Sequence, residues 1–303
     1  MELAIQSRGS WDDVLGNARW AEKTGLAALA LPDHYLSSVN AERPAYDHLI
    51  HLAALATHTT TLDLVSLVSP ITFRHPAVLY KTAITIDQMA PGRFRLGVGT
   101  GWMDSEHELF GFPYPEMATR YEMLEEALGY LRAALHPGAK GYAGSHYQLA
   151  EFDPRPHPRR VPLVIGGSGK VKTPYLAGRY GDEFNIYGCR SDDFADRVAR
   201  AREAATEAGR NPDELFISTA CPAIAAPDKA TYLRLVAEFA SAVDSTPERL
   251  EKSMAKRGYP HGYGAKPFEM LAELETAGCR RFYMQAFAGN PDHLDAIVAA
   301  YTG

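Results

Sequence analysis

Three cysteines in 303 residues, Cys189, Cys221 and Cys279, stand far apart and form no CxxC pair. That spacing excludes a disulfide framework and a zinc ribbon and fits a reducing compartment. No apolar run approaches the ~18 residues of a membrane span, and the opening MELAIQSRGSW has neither the basic nor the apolar block of an export signal. The expectation is a cytoplasmic chain, neither exported nor anchored. Positive charge is not in excess: 31 Lys and Arg against 37 Asp and Glu leave a net charge of -6, which argues against a broad nucleic-acid surface while still allowing a small anionic ligand. HExxH and GxSxG are both missing, which removes the simplest arguments for a zinc protease and a serine hydrolase.

What is present is an ordinary globular composition, 46% hydrophobic and 22% charged, arranged as short β-rich runs alternating with segments of helical period. Residues 2–6, 28–32, 62–68, 94–98, 161–166, 182–188, 215–220 and 280–285 read as eight strands. Helices are expected at about 11–23, with Ser10 and Asp13 as an N-terminal cap, at 49–56 from its i, i+3, i+4, i+7 apolar spacing, at 76–89 with Pro76 in the first turn, and at 119–135. Five strands follow a helix and a glycine, as in KTGLAALAL and APGRFRLGV, where a left-handed glycine closes the helix. Eight such units in this length favour a (β/α)8 TIM barrel over an open doubly wound sheet. The chain reads as one domain, 1–303, with a Gly/Pro/His-rich insertion or lid at 136–160, after the fourth helix, as its largest departure from the alternation.

Active sites in this architecture sit after the carboxyl ends of the strands. Asp33 and His34 end the second strand, where an imidazole exchanges a proton near neutral pH and a neighbouring carboxylate tunes it; a plain turn is the competing reading. GVGTGW, 97–102, brings backbone close to a planar or phosphorylated ligand, or else makes room for packing. It is not a dinucleotide fingerprint, because Trp102 occupies the third glycine position and no helix is expected directly after it. In IGGSGKVKT, 165–173, the amides of Gly167, Ser168 and Gly169 offer an anion cradle, with Lys170 or Lys172 beside it, against a simple glycine turn; Val171 rules out a P-loop. His48, His51 and His58 read as solvated helix histidines rather than a metal set, and Cys189 has no base paired with it in sequence.

AEKTGLAALALPDHYL (20–36), THTTTLDLVSLVSPITFRHPAVLYKTAITIDQMAPGRFRLGVGTGW (57–102) and VPLVIGGSGKVKTPYLAGRYGDEFNIYG (161–188) together resemble the luciferase-like superfamily of flavin and deazaflavin oxidoreductases. RHPAVLYK, GRFRLGVGTGW and the GGSGKVKT-to-DEFN block are most similar to its branch that uses coenzyme F420. The resemblance implies a (β/α)8 barrel, a homodimer, and hydride transfer between a deazaflavin and a small organic substrate. It implies His34 as the proton-handling residue with Asp33 beside it, and a non-proline cis peptide at Ser66–Leu67 under the ring. It further implies contacts from Ser69, Thr100 and Gly101 to the head or ribityl chain of the cofactor, a phosphate loop at Gly166, Gly167, Ser168 and Gly169, and Lys170 and Lys172 near the acidic tail. The F420-dependent sugar-phosphate dehydrogenases carry a catalytic Glu where this chain has Trp102, which puts that particular chemistry in doubt and suggests an apolar substrate wall of Trp102, with Glu106 adding polarity. A monooxygenase using reduced FMN and O2, with a separate flavin or F420 reductase, and a non-catalytic deazaflavin-binding protein are the competing readings. No metal is implied.

Overall fold

The computed structural model describes residues 1–38, 43–135, 141–157, 160–188, 190–286 and 291–302. Eight parallel strands form its centre: β1 (Glu2–Gln6), β2 (Ala28–Leu31), β3 (Asp63–Ser66), β4 (Phe94–Gly99), β5 (Leu163–Gly167), β6 (Glu183–Tyr187), β7 (Phe216–Cys221) and β8 (Arg281–Gln285). β1 lies between β2 and β8, and the pairing of Leu64 with Phe94 joins β3 to β4 and closes the ring. This is the expected (β/α)8 barrel.

Alternation of side chains across each strand splits the core in two. Outward residues such as Leu29, Leu64, Leu96, Ile165 and Phe282 pack under the helices. Inward ones are mostly small, Ala4, Ala28, Ala30 and Ala220, with Val65, Leu67, Val164 and Tyr283 among them.

The helices follow local rules. Ser10 and Asp13 make a reciprocal capping box on helix Trp11–Lys23, satisfying two otherwise orphaned donors. Helix His48–His58 is capped by Asp47, and the Arg93 guanidinium closes its far end by donating to the carbonyls of Ala56, Thr59 and Leu62 at 2.9–3.2 Å. Four of the five pre-strand glycines take positive φ: Gly25, Gly92, Gly209 and Gly278. Gly181 does not; it is extended at φ -80, and glycine is needed there because a Cβ would sit 2.8 Å from the Ala177 carbonyl oxygen.

Three local expectations change. A helix does start just after Trp102, at Asp104–Phe110, with no side-chain cap and hence no sequence mark at its start. The largest excursion is not 136–160 but the stretch between β7 and β8, where Ile224–Ala226 pairs in parallel with His261–Tyr263 and helices Lys229–Ala242 and Pro247–Arg257 intervene. Within 136–160, the described residues hold a small antiparallel pair, Tyr142–Ala143 with Gln148–Leu149. The Glu126 carboxylate accepts from the amides of Ser145, His146 and Tyr147. The pair packs on the outer helices: Tyr142 lies over Gly129 and Phe152 meets the Tyr80 ring. Residues 136–140, 158–159 and Cys189 lie outside the described residues.

Candidate active site

The third strand stops at Ser66, passes through a cis peptide, and resumes at Ser69–Pro70, which pairs with Val98 and Gly99. The cis bond is Leu67–Val68, one residue later than the Ser66–Leu67 expected. Gln6 donates to the Leu67 carbonyl at 2.9 Å and is itself held by Gln285 at 2.7 Å.

This turn throws the Val68 side chain inward over the barrel. Glycines make the room: a Cβ at Gly97 would lie 2.0 Å from the Ser66 carbonyl oxygen, and one at Gly99 or Gly166 would meet the Val68 methyls at 2.9 or 2.7 Å. For Gly97 and Gly99 the packing reading is therefore the physical one. Gly166, expected in a phosphate loop, is buried within β5 beneath Val68. The outcome is an apolar floor at the carboxyl end of the barrel, rimmed by half-buried Thr100, Gly101 and Gly167. Arg120 donates to the Gly101 carbonyl at 2.8 Å and fixes that rim.

Around the floor, two charge clusters form. Asp33 is 2% exposed and bridges Arg74 and His48. Burial would raise its carboxyl, but the His48 and Arg74 charges and a hydrogen bond from Ser69 hold it down at about 2. Arg74 also pairs with Asp47 at 2.8 Å. His48 Nδ1 stands 3.1 Å from Asp33, off the hydrogen-bond axis, while its Nε2 lies 2.8 Å from Ser66 Oγ. His48 is thus buried rather than solvated, which corrects the expectation drawn from its helical spacing. His51 and His58 do stay near the surface, against the Trp11 ring. No group of three or more metal-ligating side chains occurs among the described residues.

His34 belongs to the second cluster, and its carboxylate partner is not Asp33. Glu106, from the unanticipated helix Asp104–Phe110, places Oε2 3.1 Å from His34 Nδ1. Its Oε1 accepts from the amides of Tyr35 and Leu36. Expected to add polarity to the substrate pocket, Glu106 is 1% exposed, because those donors draw it under the loop. The next residue, His107, takes a hydrogen bond from Thr72 at Nε2 and faces the Met103 carbonyl with Nδ1, so its ring proton is assigned to Nδ1. Trp102 is 64% exposed, with its ring edge-on to His34 at 5.7 Å between centroids.

A cavity of about 320 Å³ opens beside His34, lined by Ser7, Arg8, Ser10, Pro32, Tyr46 and His51 among others. That volume suits a small molecule. Thr100, Gly101 and the 166–170 loop do not line it. In that loop Ser168 and Lys170 are exposed, Lys170 pairs with Asp193 at 2.9 Å, and helix Lys172–Tyr180 begins without a side-chain cap. Gly169 packs against Tyr121 and Thr173, whose hydroxyls are 2.9 Å apart.

The missed residues are Gln6's role, His48, Arg74 and Thr72. Arg74 lay within the RHPAVLYK motif, just past the third strand. His48 offered no signal, since burial is not visible in helical spacing alone.

A parallel barrel with polar groups gathered after the ends of β2, β3 and β4 defines a TIM barrel, the class of enzymes whose sites lie at the carboxyl-terminal face. The model of the luciferase-like monooxygenase family matches residues 2–303, and the chain belongs to that family. It is 31% identical over 200 residues to an F420-dependent glucose-6-phosphate dehydrogenase of Microbacterium testaceum, covering 64% of this chain and 59% of that one. It is 30% identical over 167 residues to the pyrimidine monooxygenase RutA of Allorhizobium ampelinum, covering 53% and 45%. The chain thus spans about half the length of these relatives. An F420-dependent secondary alcohol dehydrogenase, solved with an F420-acetone adduct, superposes with a TM-score of 0.82 at 20% identity, over 99% of this chain and 98% of that one, and so shares the fold. No helix among the described residues is long and apolar enough to cross a membrane.

Proposed function

We propose that this protein is an F420-dependent oxidoreductase transferring a hydride between the deazaflavin and a small organic substrate, with His34 handling the proton. The observation that carries the reading is the His34 imidazole: one nitrogen is engaged by Glu106, and the ring lines a cavity of substrate size. The floor of Val68 with its rim of Thr100, Gly101 and Gly167 fits a planar ring approached by backbone. Ser66 and Ser69 stand beneath that floor with His48. Ser168, Gly169 and Lys170 stand at the uncapped helix and would hold the phosphate and acidic tail. When bound, the deazaflavin supplies a carbon that accepts or donates hydride and reacts poorly with oxygen.

The chain's own residues do the rest. His34 gives or takes the proton that accompanies hydride transfer at the substrate oxygen. Leu31 and Pro32 give the cavity an apolar side, and Trp102, edge-on to His34, would meet the substrate at its rim. Asp33, already ionised and paired, supplies fixed charge rather than a proton. Cytoplasmic residence and a homodimer complete the reading.

A second reading, a monooxygenase using reduced FMN and O2 with a separate reductase, draws on the likeness to the pyrimidine monooxygenase. Mass spectrometry of the denatured purified protein, with parallel F420 and FMN titrations, separates the two. Tight F420 binding and weak FMN binding support the first; the reverse supports the second. F420 binding without turnover of any substrate in a broad screen would make the protein a binder.

A further inference from the structure

The carboxylate that governs His34 comes from 72 positions further along the chain, and its geometry dictates more than contact. We infer that Glu106 is a positioning residue that fixes the His34 ring as the Nδ1–H tautomer and so presents a bare Nε2 to the cavity. The inference rests on the reading of His34 as the proton-handling group.

Glu106 Oε1 is occupied by two backbone donors, the amides of Tyr35 and Leu36. Those bonds hold the 34–36 loop against helix Asp104–Phe110 and leave only Oε2, 3.1 Å away, for His34 Nδ1. An ionised carboxylate is an acceptor only, so the neutral ring must place its proton on Nδ1. The edge contact with Trp102 restricts the ring plane. Burial of Glu106 at 1% exposure strengthens the bond by excluding competing water. His34 Nε2 has no hydrogen-bond partner among the described residues, and the side chain keeps 17% of its surface. The ring is therefore poised to accept a proton from an alcohol-type substrate in one direction of reaction, or to return it in the other.

The sharpest test is the tautomer, read from the ¹⁵N resonances of histidine-labelled, cofactor-free protein at a pH well above the ordinary imidazole value of about 6.5. His34 is assigned by its loss in His34→Ala. The expected spectrum shows Nδ1 protonated and Nε2 of pyridine type; an Nε2–H ring overturns the inference whether or not Glu106→Gln folds. Glu106→Gln then inverts the signature: its amide oxygen must stay on the two backbone donors, which turns the NH₂ towards Nδ1 and forces the proton to Nε2. In that variant kcat should fall by at least about 10²-fold, towards the ~10⁴-fold seen when a histidine is held in the wrong tautomer, with KM and cofactor affinity within about threefold. Unchanged kcat, or a tautomer that does not move, contradicts the inference. The expected tautomer in a protein that binds neither F420 nor FMN would leave Glu106's role intact and remove the proposed redox function.

Discussion

The two ends of the barrel both hold buried charge, yet at the carboxyl-terminal end that charge stands beside a cavity. At the amino-terminal end, Arg281 donates to Glu2 at 2.8 Å, to Asp63 at 3.0 Å and to the Tyr283 hydroxyl at 3.2 Å. Arg95 ties the same Asp63 at 2.8 Å, and Glu183 accepts from Ser218 and Tyr283 at 2.6 and 3.1 Å. Burial opposes the Arg281 charge, but Tyr283, Glu183 and Asp63 hold its pKa above the ordinary arginine value, and burial pushes the Tyr283 phenol up. At the carboxyl-terminal end, Asp33, Arg74 and His48 form an equally internal cluster, but beside it His34, held by Glu106 at one nitrogen, lines a cavity. Perturbed titration therefore does not single out a site. A group with a fixed partner on one side and space on the other does.

That contrast can be broken most strongly at His34. Replacing it by Ala should lower turnover by about 10²–10⁴-fold and leave cofactor affinity within a few-fold, measured by steady-state kinetics and fluorescence titration; equal turnover would move the chemistry elsewhere. At the opposite end, Arg281→Met removes the partner of half-exposed Glu2, one of the two arginines on Asp63 and the donor to the Tyr283 hydroxyl. It should cost about 1–3 kcal/mol of unfolding free energy, read by urea denaturation, while the folded fraction keeps its kcat. A loss of kcat without loss of stability would erase the distinction drawn between the ends.

Gly97→Ala drives a methyl into the Ser66 carbonyl oxygen and should cost about 1–3 kcal/mol by overpacking, with weakened cofactor binding as Val68 is displaced. Gly25→Ala, where nothing lies within 4 Å, serves as the comparison, costing only its left-handed backbone, about 1–2 kcal/mol.

The smallest effect is in acid. Asp33 titrates at about 2 in the fold against about 3.9 in the unfolded chain. A depressed carboxyl contributes stability that is present above the unfolded value and lost as pH falls through the folded one. From pH 5 to 2 the wild type should lose about 2 kcal/mol on this account. Asp33→Asn, less stable at neutral pH, should show a correspondingly flatter acid limb in urea denaturation; parallel limbs would remove Asp33 from the network's energetics.

The barrel was legible because period and punctuation survive in one dimension: all eight strands overlie the expected stretches, with β4, β5 and β7 each running one residue past the expected end, and the Ser10–Asp13 cap is where its spacing put it. The 222–265 excursion was hidden because its strands are three residues long and its helices look like any barrel helix, although the long interval between β7 and β8 was a sign. His34 and Trp102 were placed correctly at strand ends. Their partners were not, since Asp33 adjoins His34 in sequence but faces His48 and Arg74, while Glu106 reaches His34 only through a helix that begins without a cap. Side-chain direction after a strand end depends on the loop's hydrogen bonds, and those are tertiary facts.

On the proposed function, the carboxyl-terminal mouth of the barrel binds a deazaflavin beside His34. A crystal structure of the protein soaked with F420 tests it most directly. The tricyclic ring should lie on the Val68 floor, within contact of Thr100 and Gly101 and facing the His34 imidazole. A ring bound away from that floor, or a mouth that admits no ring at saturating F420, would contradict it.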